Sequence, residues 1–259
     1  MFLDSIFARL CSIPVIEKRL WRMLYNFLAT RPGDDAWEFM NYGYAEESGA
    51  ASNASLRLYE ELAGHVPLDG KKLLEVGCGR GGGIRHLRQQ HEMARAVGCD
   101  LSPQAIALCQ KRISALPVEW VVGDAEALPF EDGSFDVVIN VESSHCYPHF
   151  DRFAAEVHRV LARGGHFLWT DFRATERVPE VRDTLRSTGF EEIVWRDITS
   201  EVLAAMSQEE PRKEALLQER VPAWLRASFR DFAGMLGSKI HQNFVSGRWR
   251  YTMAVLRKP

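Results

Sequence analysis

The alternation of short apolar runs with longer helical patterns between residues 71 and 199 constrains the fold of this chain most. This rhythm is typical of βαβ units, in which a helix connects two parallel strands of one sheet. The predicted strands are 72–76, 95–100, 119–123, 135–141, 166–171 and 193–197. The predicted helices are 84–90, 103–113, 150–161 and 179–187. The sequence therefore predicts an α/β fold with a mostly parallel sheet.

Helical patterns flank this core in the sequence. Two amphipathic stretches precede residue 30, and a charged helical stretch at 200–238 contains Pro211 and Pro222, which predict an interrupted helical pair. A final alternating strand is predicted at 249–257. We therefore expect an N-terminal helical lid at 1–60, the core at 61–199, an inserted helical cap at 200–240, and the last strand of the core within 241–259.

Charge and cysteine content exclude several classes of protein. The 259 residues include 32 Lys and Arg against 35 Asp and Glu, a net charge of −3 that offers nothing to attract nucleic acid. The five cysteines, at positions 11, 78, 99, 109 and 146, contain no C-x-x-C pair, which argues against a disulfide framework or a thiolate zinc site. The same cysteine usage predicts a reducing, cytoplasmic compartment. No apolar run is long enough to predict a transmembrane helix.

A glycine-rich turn follows the first predicted strand. Gly77, Gly79 and Gly82 satisfy G-x-G-x-x-G, and Asp100 ends the next strand, where a ribose-binding acid belongs. A nicotinamide-dependent oxidoreductase is therefore open. Glu75 favours another cofactor, because a carboxylate there would repel a pyrophosphate and hold an ammonium group.

At residues 75–81 the sequence reads E-V-G-C-G-R-G, which resembles the first motif of the class I, Rossmann-like S-adenosylmethionine-dependent methyltransferases. Later segments are similar to that family in the same order. The resemblance implies a seven-stranded, mostly parallel sheet with its last strand antiparallel beside the sixth, and S-adenosylmethionine at the carboxyl ends of the strands, with S-adenosylhomocysteine as product. The cofactor-binding residues it implies are Glu75, Gly77, Cys78, Gly79, Asp100, Leu101, Asp124, Ala125, Glu126 and Asn140. Asp100 would bind the ribose hydroxyls, and Asp124 the adenine amino group.

Two further motifs concern the acceptor. Residues 41–44, N-Y-G-Y, resemble a segment of the small-molecule branch, which implies that Tyr44 closes over the methionine end of the cofactor. Residues 142–148, E-S-S-H-C-Y-P, resemble lipid methyltransferases such as the phthiotriol dimycocerosate enzymes. The implied acceptor is a large apolar molecule, such as a polyketide, lipid, glycolipid or other natural product.

His145 is the predicted catalytic residue, because a hydroxyl acceptor needs a base and histidine suits neutral pH. We expect O-methylation. C-methylation stays open through Glu142, as does a protein that binds the cofactor without transferring methyl groups. No metal is predicted, since the cluster of His145, Cys146, His149 and Asp151 lacks ligand spacing on a helix or strand.

The added helices carry large apolar side chains that are expected to line an acceptor pocket and act as a lid. These residues are Trp21, Tyr25, Phe27, Trp224, Phe229, Phe232 and Met235. Stable membrane insertion is not expected, because one weakly basic helix binds lipid only marginally. Peripheral membrane contact and a homodimer stay open.

Overall fold

The computed structural model describes residues 39–46, 53–223 and 226–259. Its strands are β1 (Lys72–Val76), β2 (Arg95–Asp100), β3 (Glu119–Val122), β4 (Phe135–Val141), β5 (Leu161–Ala174), β6 (Glu191–Asp197) and β7 (Trp249–Arg257). They form one sheet in the order β3-β2-β1-β4-β5-β7-β6. β1 to β5 pair in parallel, whereas β7 runs antiparallel between β5 and β6. The predicted seven-stranded fold is confirmed.

The helices of the described residues cover both faces of the sheet. They are α1 (Ala54–Ala63), α2 (Gly82–Gln90), α3 (Pro103–Arg112), α4 (Phe150–Val160), α5 (Val178–Ser187), α6 (Thr199–Arg220), α7 (Arg226–Phe232) and α8 (Lys239–Val245). Neighbouring residues of β1 enter different cores because side chains alternate along a strand. Leu73 packs with Leu58 and Ile84 of α1 and α2, whereas Leu74 packs with Phe153 of α4. A sheet covered on both faces explains why its central strands read as continuous apolar runs.

β5 and β6 are longer than predicted, and the reason is pairing with β7. Residues His166 to Ala174 of β5 pair with β7, which carries the strand past the predicted end at residue 171. β6 pairs with β7 from Glu191, two residues before its predicted start. Antiparallel pairing across the chain supplies hydrogen-bonding partners that the local apolar pattern does not reveal.

The prediction that Pro211 interrupts the 200–238 segment is wrong. Pro211 lies inside α6, which runs unbroken for 22 residues. A proline inside a helix loses one hydrogen bond, but buried side chains anchor α6 on both sides of it, Met206 before and Leu217 after. The helix instead ends at Arg220, before Pro222, and the unpredicted helix α8 follows α7.

The predicted domain boundaries fall within helices. Residue 60 lies inside α1, whose Leu58 and Leu62 are fully buried in the sheet core, and residue 240 lies inside α8. The division into lid, core and cap therefore stays a prediction. The two amphipathic stretches before residue 30 lie outside the described residues.

Candidate active site

A cavity of about 990 Å³, including its open mouth, lies at the carboxyl ends of β1, β2 and β4. Parallel α/β sheets bind ligands at this edge, where the connections on either side of β1 diverge to opposite faces. The lining residues are 39–41, 76–80, 82–83, 100–102, 123–125, 141–143 and 146–147, together with Tyr59. This is the edge of the sheet at which the resemblance places the cofactor.

The glycine loop forms the floor of this cavity. Gly77 follows β1 with a φ of +73°, and its N–H donates to the Cys99 carbonyl at 2.8 Å. A Cβ at Gly77 would lie 2.3 Å from the Ser143 hydroxyl oxygen. Because no larger residue fits both the backbone angle and this contact, glycine allows the loops after β1 and β4 to meet.

Asp100 ends β2 and lines the cavity beside the loop. Its carboxylate accepts hydrogen bonds from the N–H groups of Gly79 and Ser102, both at 2.8 Å. Burial raises the pKa of Asp100, and these two backbone hydrogen bonds oppose that rise. The side chain is therefore held in one orientation, with remaining lone pairs available to ligand hydroxyls.

Asp124 and Ala125 line the cavity next to this site, on the loop after β3. The N–H of Glu126 donates to the Asp124 carboxylate at 2.9 Å, which closes a short turn. The carboxylates of Asp100 and Asp124 thus lie beside apolar surface from Leu101 and Ala125. This set fits S-adenosylmethionine, because ribose hydroxyls and an adenine amino group need acceptors and the adenine ring needs apolar contacts. The assignment of individual binding residues stays a prediction.

Glu75 does not line the cavity, although the sequence predicted that it contacts the cofactor ammonium. Its side chain is fully buried, and its two oxygens accept from the Ile84 N–H at 2.8 Å and the Tyr59 hydroxyl at 2.7 Å. A Cβ at Gly83 would lie 2.1 Å from the Tyr59 ring, so glycine permits this approach. Glu75 ties β1 to the first turn of α2 and to α1.

Three other predicted binding residues also lie off the cavity wall. Tyr44 belongs to the core on the α1 side of the sheet. Asn140 is fully buried, and its amide donates to the Val76 carbonyl at 2.8 Å, which ties the ends of β4 and β1 together. Glu126 accepts from the His149 N–H at 3.0 Å. These side chains position the loops that form the wall.

The segment before Tyr44 supplies lining residues that sequence reasoning missed. Phe39, Met40 and Asn41 all line the cavity. The N-Y-G-Y motif overlaps this segment at Asn41, but the resemblance assigned the cofactor contact to its last residue, Tyr44. Tyr44 faces the core because its backbone N–H is bonded to the Ala54 carbonyl at 2.9 Å, which fixes the segment against α1.

His145, the predicted catalytic residue, is partly buried and pairs with the fully buried Asp171 of β5. Asp171 accepts from the ring Nδ1 and from the backbone N–H of His145, both at 2.8 Å. The ring also packs against Phe172 at 4.4 Å between centroids. Burial disfavours the charged imidazole, but the Asp171 charge outweighs it and raises the pKa of His145 well above its ordinary value. The ring does not line the cavity, although the adjacent Cys146 does.

Glu142 lines the cavity just after β4 and is 8% exposed. One oxygen, Oε1, accepts from the Tyr42 N–H at 2.7 Å and from the Tyr251 hydroxyl at 2.6 Å. Burial raises the pKa of Glu142 to about 7, although both hydrogen bonds lower it. The sequence indicated Glu142 only through the alternative of C-methylation. No local pattern reveals its two partners, which lie about a hundred positions away.

The apolar residues predicted to line the acceptor pocket take other positions where they are described. Met235 is fully buried with Leu217 and Val221, and Phe229 packs against this group. Met235, Phe229 and Phe232 do not line this cavity. Helix α7 packs onto the end of α6, and this contact uses their side chains. That some of the predicted residues line an acceptor pocket stays a prediction. Trp21, Tyr25, Phe27 and Trp224 lie outside the described residues.

Two features are absent from the described residues. No group of three or more His, Cys, Asp or Glu side chains could hold a metal ion in this part of the chain. None of the helices placed by the structure is long and apolar enough to cross a membrane.

Comparisons with known proteins agree with this geometry. Residues 74–169 match the family described as methyltransferase domain. The phthiotriol/phenolphthiotriol dimycocerosates methyltransferase of Mycobacterium tuberculosis is 38% identical, over 98% of this chain and 97% of that protein. The fatty-acid O-methyltransferase of Mycolicibacterium smegmatis is 38% identical over 82% of this chain and 80% of that protein.

A solved structure shares the fold. The putative sarcosine dimethylglycine methyltransferase from Galdieria sulphuraria aligns with a TM-score of 0.76 at 17% identity, covering 86% of this chain and 95% of that one. Similarity along nearly the whole length of the mycobacterial relative resolves the ambiguity of the glycine loop in favour of S-adenosylmethionine over a nicotinamide cofactor. The chain belongs to the S-adenosylmethionine-dependent methyltransferases, in the family of the phthiotriol/phenolphthiotriol dimycocerosates methyltransferases.

Proposed function

We propose that this enzyme O-methylates a hydroxyl group on a large apolar molecule such as a polyketide, lipid or glycolipid. The observation that carries the proposal is the pairing of two sites on one cavity. Asp100 and Asp124 lie on the side of β2 and β3, and Glu142, next to the His145–Asp171 pair, lies at the end of β4. The relatives are named as methyltransferases of phthiotriol dimycocerosates and of fatty acids, which supports a lipid-like acceptor.

S-adenosylmethionine supplies an electrophilic methyl group on a sulfonium when it is bound. In this proposal Asp100 holds ribose hydroxyls and Asp124 an amino group, while the close approach of Gly77 shapes the floor. The enzyme must align the acceptor oxygen with the methyl group and exclude water. Phe39, Met40 and Val141 supply apolar surface on the cavity wall.

A hydroxyl acceptor also needs a group that removes its proton. The sequence predicts His145 for this role, and Glu142, whose carboxylate lines the cavity, is the second candidate. The hydrogen bond of His145 to Asp171 fixes the ring tautomer, with the proton on Nδ1 and Nε2 as the acceptor, whenever the ring is neutral. A cytoplasmic location also stays a prediction, and a homodimer stays open.

The proposal is tested by incubating the enzyme with S-adenosylmethionine and a panel of fatty acids, hydroxylated polyketides and long-chain diols. We expect one methylene mass gained by a hydroxylated acceptor, with an equal amount of S-adenosylhomocysteine formed. Calorimetry should show that Asp100→Asn weakens S-adenosylhomocysteine binding at least tenfold, whereas Asp183→Asn, an exposed exchange on α5, leaves it unchanged. Methyl transfer to carbon, or binding of the cofactor with no transfer to any acceptor, would contradict O-methylation.

A further inference from the structure

We propose that Glu142 takes the proton of the acceptor hydroxyl, and that the nearby His145–Asp171 pair acts on this carboxylate through its charges and not by proton transfer. The inference rests on the proposed O-methylation and concerns which side chain carries out its proton transfer. It assigns His145 a role behind the reacting group.

The hydrogen bonds of Glu142 leave one oxygen to the cavity. Oε1 accepts both the Tyr42 N–H and the Tyr251 hydroxyl, whereas no described residue donates a hydrogen bond to Oε2. The residue is more than nine-tenths buried and still forms part of the cavity wall. A buried carboxylate oxygen without a protein donor at a ligand cavity is a site for a ligand hydroxyl.

The backbone of Glu142 supports a functional placement. Its φ is +44°, a left-handed conformation that costs a non-glycine residue free energy. Its N–H donates to the Thr170 carbonyl of β5 at 2.9 Å, and its carboxylate is held by Tyr42 and Tyr251. These contacts keep the strained residue in place, which directs its side chain to the end of β4 where the cavity opens.

His145 does not line the cavity, whereas Glu142 does. Both the backbone N–H and the ring Nδ1 of His145 are bonded to Asp171, and its ring packs against Phe172. The Asp171 charge raises the pKa of His145 and so favours the imidazolium, which cannot accept a proton. Its positive charge acts instead on Glu142, whose pKa it lowers.

The charged and titratable groups around Glu142 balance one another. Burial and the Asp171 charge raise its pKa, while Tyr251, the Tyr42 N–H and the His145 charge lower it, giving a value of about 7. From α6, Lys213 lies over the Tyr42 ring at 6.0 Å and has a pKa lowered by its own burial. A carboxyl group whose pKa is near the working pH is suited to general-base catalysis.

The proton transfer balances without any further reactant. The acceptor O–H bond breaks, its proton passes to Oε2 of Glu142, and the oxygen forms a bond to the methyl carbon. The carbon–sulfur bond breaks with its electron pair on sulfur, so the sulfonium becomes a neutral thioether. Protonated Glu142 then loses its proton to solvent when the products leave.

The decisive experiment compares Glu142→Gln and His145→Gln across pH 6 to 9 with saturating cofactor and the acceptor identified by mass spectrometry. Glu142→Gln should lower kcat by about 10²–10⁴ at every pH, with S-adenosylhomocysteine affinity within threefold of the parent protein. His145→Gln should move the rise of rate to higher pH, so that its deficit shrinks as the pH increases. Glu131→Gln, an exposed exchange, controls for the change of charge.

Infrared titration gives a readout that does not depend on turnover. A buried protonated carboxyl band should be present at pH 6, should be weakened in Glu142→Gln, and should persist to higher pH in His145→Gln. Glu75 is also buried and has a raised pKa, so the Glu75→Gln variant shows how much of the band comes from that residue. The inference is wrong if Glu142→Gln keeps the parent rate and pH profile, or if His145→Gln is equally inactive at all pH values. A parent enzyme that methylates no hydroxylated acceptor contradicts the proposed function instead.

Discussion

Glu75 and Glu142 are buried carboxylates at the ends of the neighbouring strands β1 and β4, and burial raises the pKa of each to about 7. Their hydrogen bonds differ. Both oxygens of Glu75 accept from the protein, from the Tyr59 hydroxyl and the Ile84 N–H, and the residue lies off the cavity. One oxygen of Glu142 accepts two bonds, and the other lacks a described donor at the cavity. A perturbed pKa therefore follows from burial alone, whereas chemistry requires an available atom.

The two halves of the cavity are also built from different kinds of contact. On the cofactor side, Asp100 is held by backbone N–H groups 2 and 21 residues away. On the acceptor side, Glu142 is held by partners 100 and 109 residues away. The cofactor side is thus a local loop structure, and the acceptor side depends on the assembled sheet.

The largest expected effect is a difference in stability loss between the Asp171→Asn and Asp100→Asn variants. Asp171 is fully buried and bonded to His145, Ser144 and Arg173, so Asp171→Asn leaves partly buried cations without their counter-charge. We expect a loss of about 3–5 kcal/mol in the free energy of unfolding. Asp100→Asn weakens only hydrogen bonds from backbone N–H groups, so we expect a loss of about 1–3 kcal/mol in the free energy of unfolding. Urea denaturation measures both, and equal losses would erase the distinction between the two halves.

The second prediction concerns stability against pH. Because the folded-state pKa of Glu75 and of Glu142 exceeds the ordinary value of 4.5, the folded protein binds protons that the unfolded chain has released. Each residue makes its full contribution to the free energy of unfolding below pH 4.5. This contribution falls by about 3 kcal/mol as the pH rises to about 7.

Substitution by glutamine removes this pH dependence. We expect denaturation curves of Glu75→Gln and Glu142→Gln each to lose less stability between pH 4.5 and 8 than the parent protein. Glu131→Gln should follow the parent curve, since this side chain is exposed. A variant with the parent slope would show that its carboxylate is solvated.

The third prediction uses the phenol donors of the two carboxylates. Tyr251→Phe and Tyr59→Phe each remove one hydroxyl donor, at 2.6 Å from Glu142 and 2.7 Å from Glu75. Each should cost about 1.5–3 kcal/mol in the free energy of unfolding at pH 8, where the carboxylate is ionised. Only Tyr251→Phe should raise the midpoint of the pH–rate profile, because only Glu142 exchanges protons with the acceptor. An equal shift in Tyr59→Phe would contradict this difference.

The smallest expected effect concerns helix caps. The Ser102 hydroxyl accepts the Ala105 N–H at 3.1 Å and caps α3, and Ser238 caps α8 through the His241 N–H at 3.2 Å. Either serine replaced by alanine should lose about 1 kcal/mol of stability. Only Ser102→Ala should also weaken S-adenosylhomocysteine binding, by a few fold, since Ser102 lines the cavity. Thermal unfolding and calorimetry distinguish the two.

Local patterns were enough to predict the sheet and the cofactor side of the cavity. The bounds of β1, β2, β4 and β7 agree with the structure, because each is an apolar or alternating run bordered by turn residues. Gly77, Asp100 and Asp124 line the cavity, since motif spacing places them at strand ends, and their contacts with the cofactor stay a prediction. Backbone geometry within a few residues decides such positions.

Tertiary contacts decided the remainder. The sequence marked Tyr44, Glu75 and His145 as contacts of the ligands, but packing against α1, the bonds to Tyr59 and Ile84, and the pairing with Asp171 take these side chains off the wall. Contacts with distant segments also decide which oxygen of Glu142 is left without a protein donor. Packing likewise allows α6 to continue past Pro211.

The sequence by itself determined the order of elements, the glycine loop and the carboxylates at the strand ends, because these depend on residues close together along the chain. Only the tertiary structure decided which of several acidic and basic side chains presents a free atom to the cavity. Hydrogen-bond partners and solvent exposure depend on segments a hundred residues apart, such as those that carry Tyr42 and Tyr251, and no local pattern encodes their meeting at Glu142.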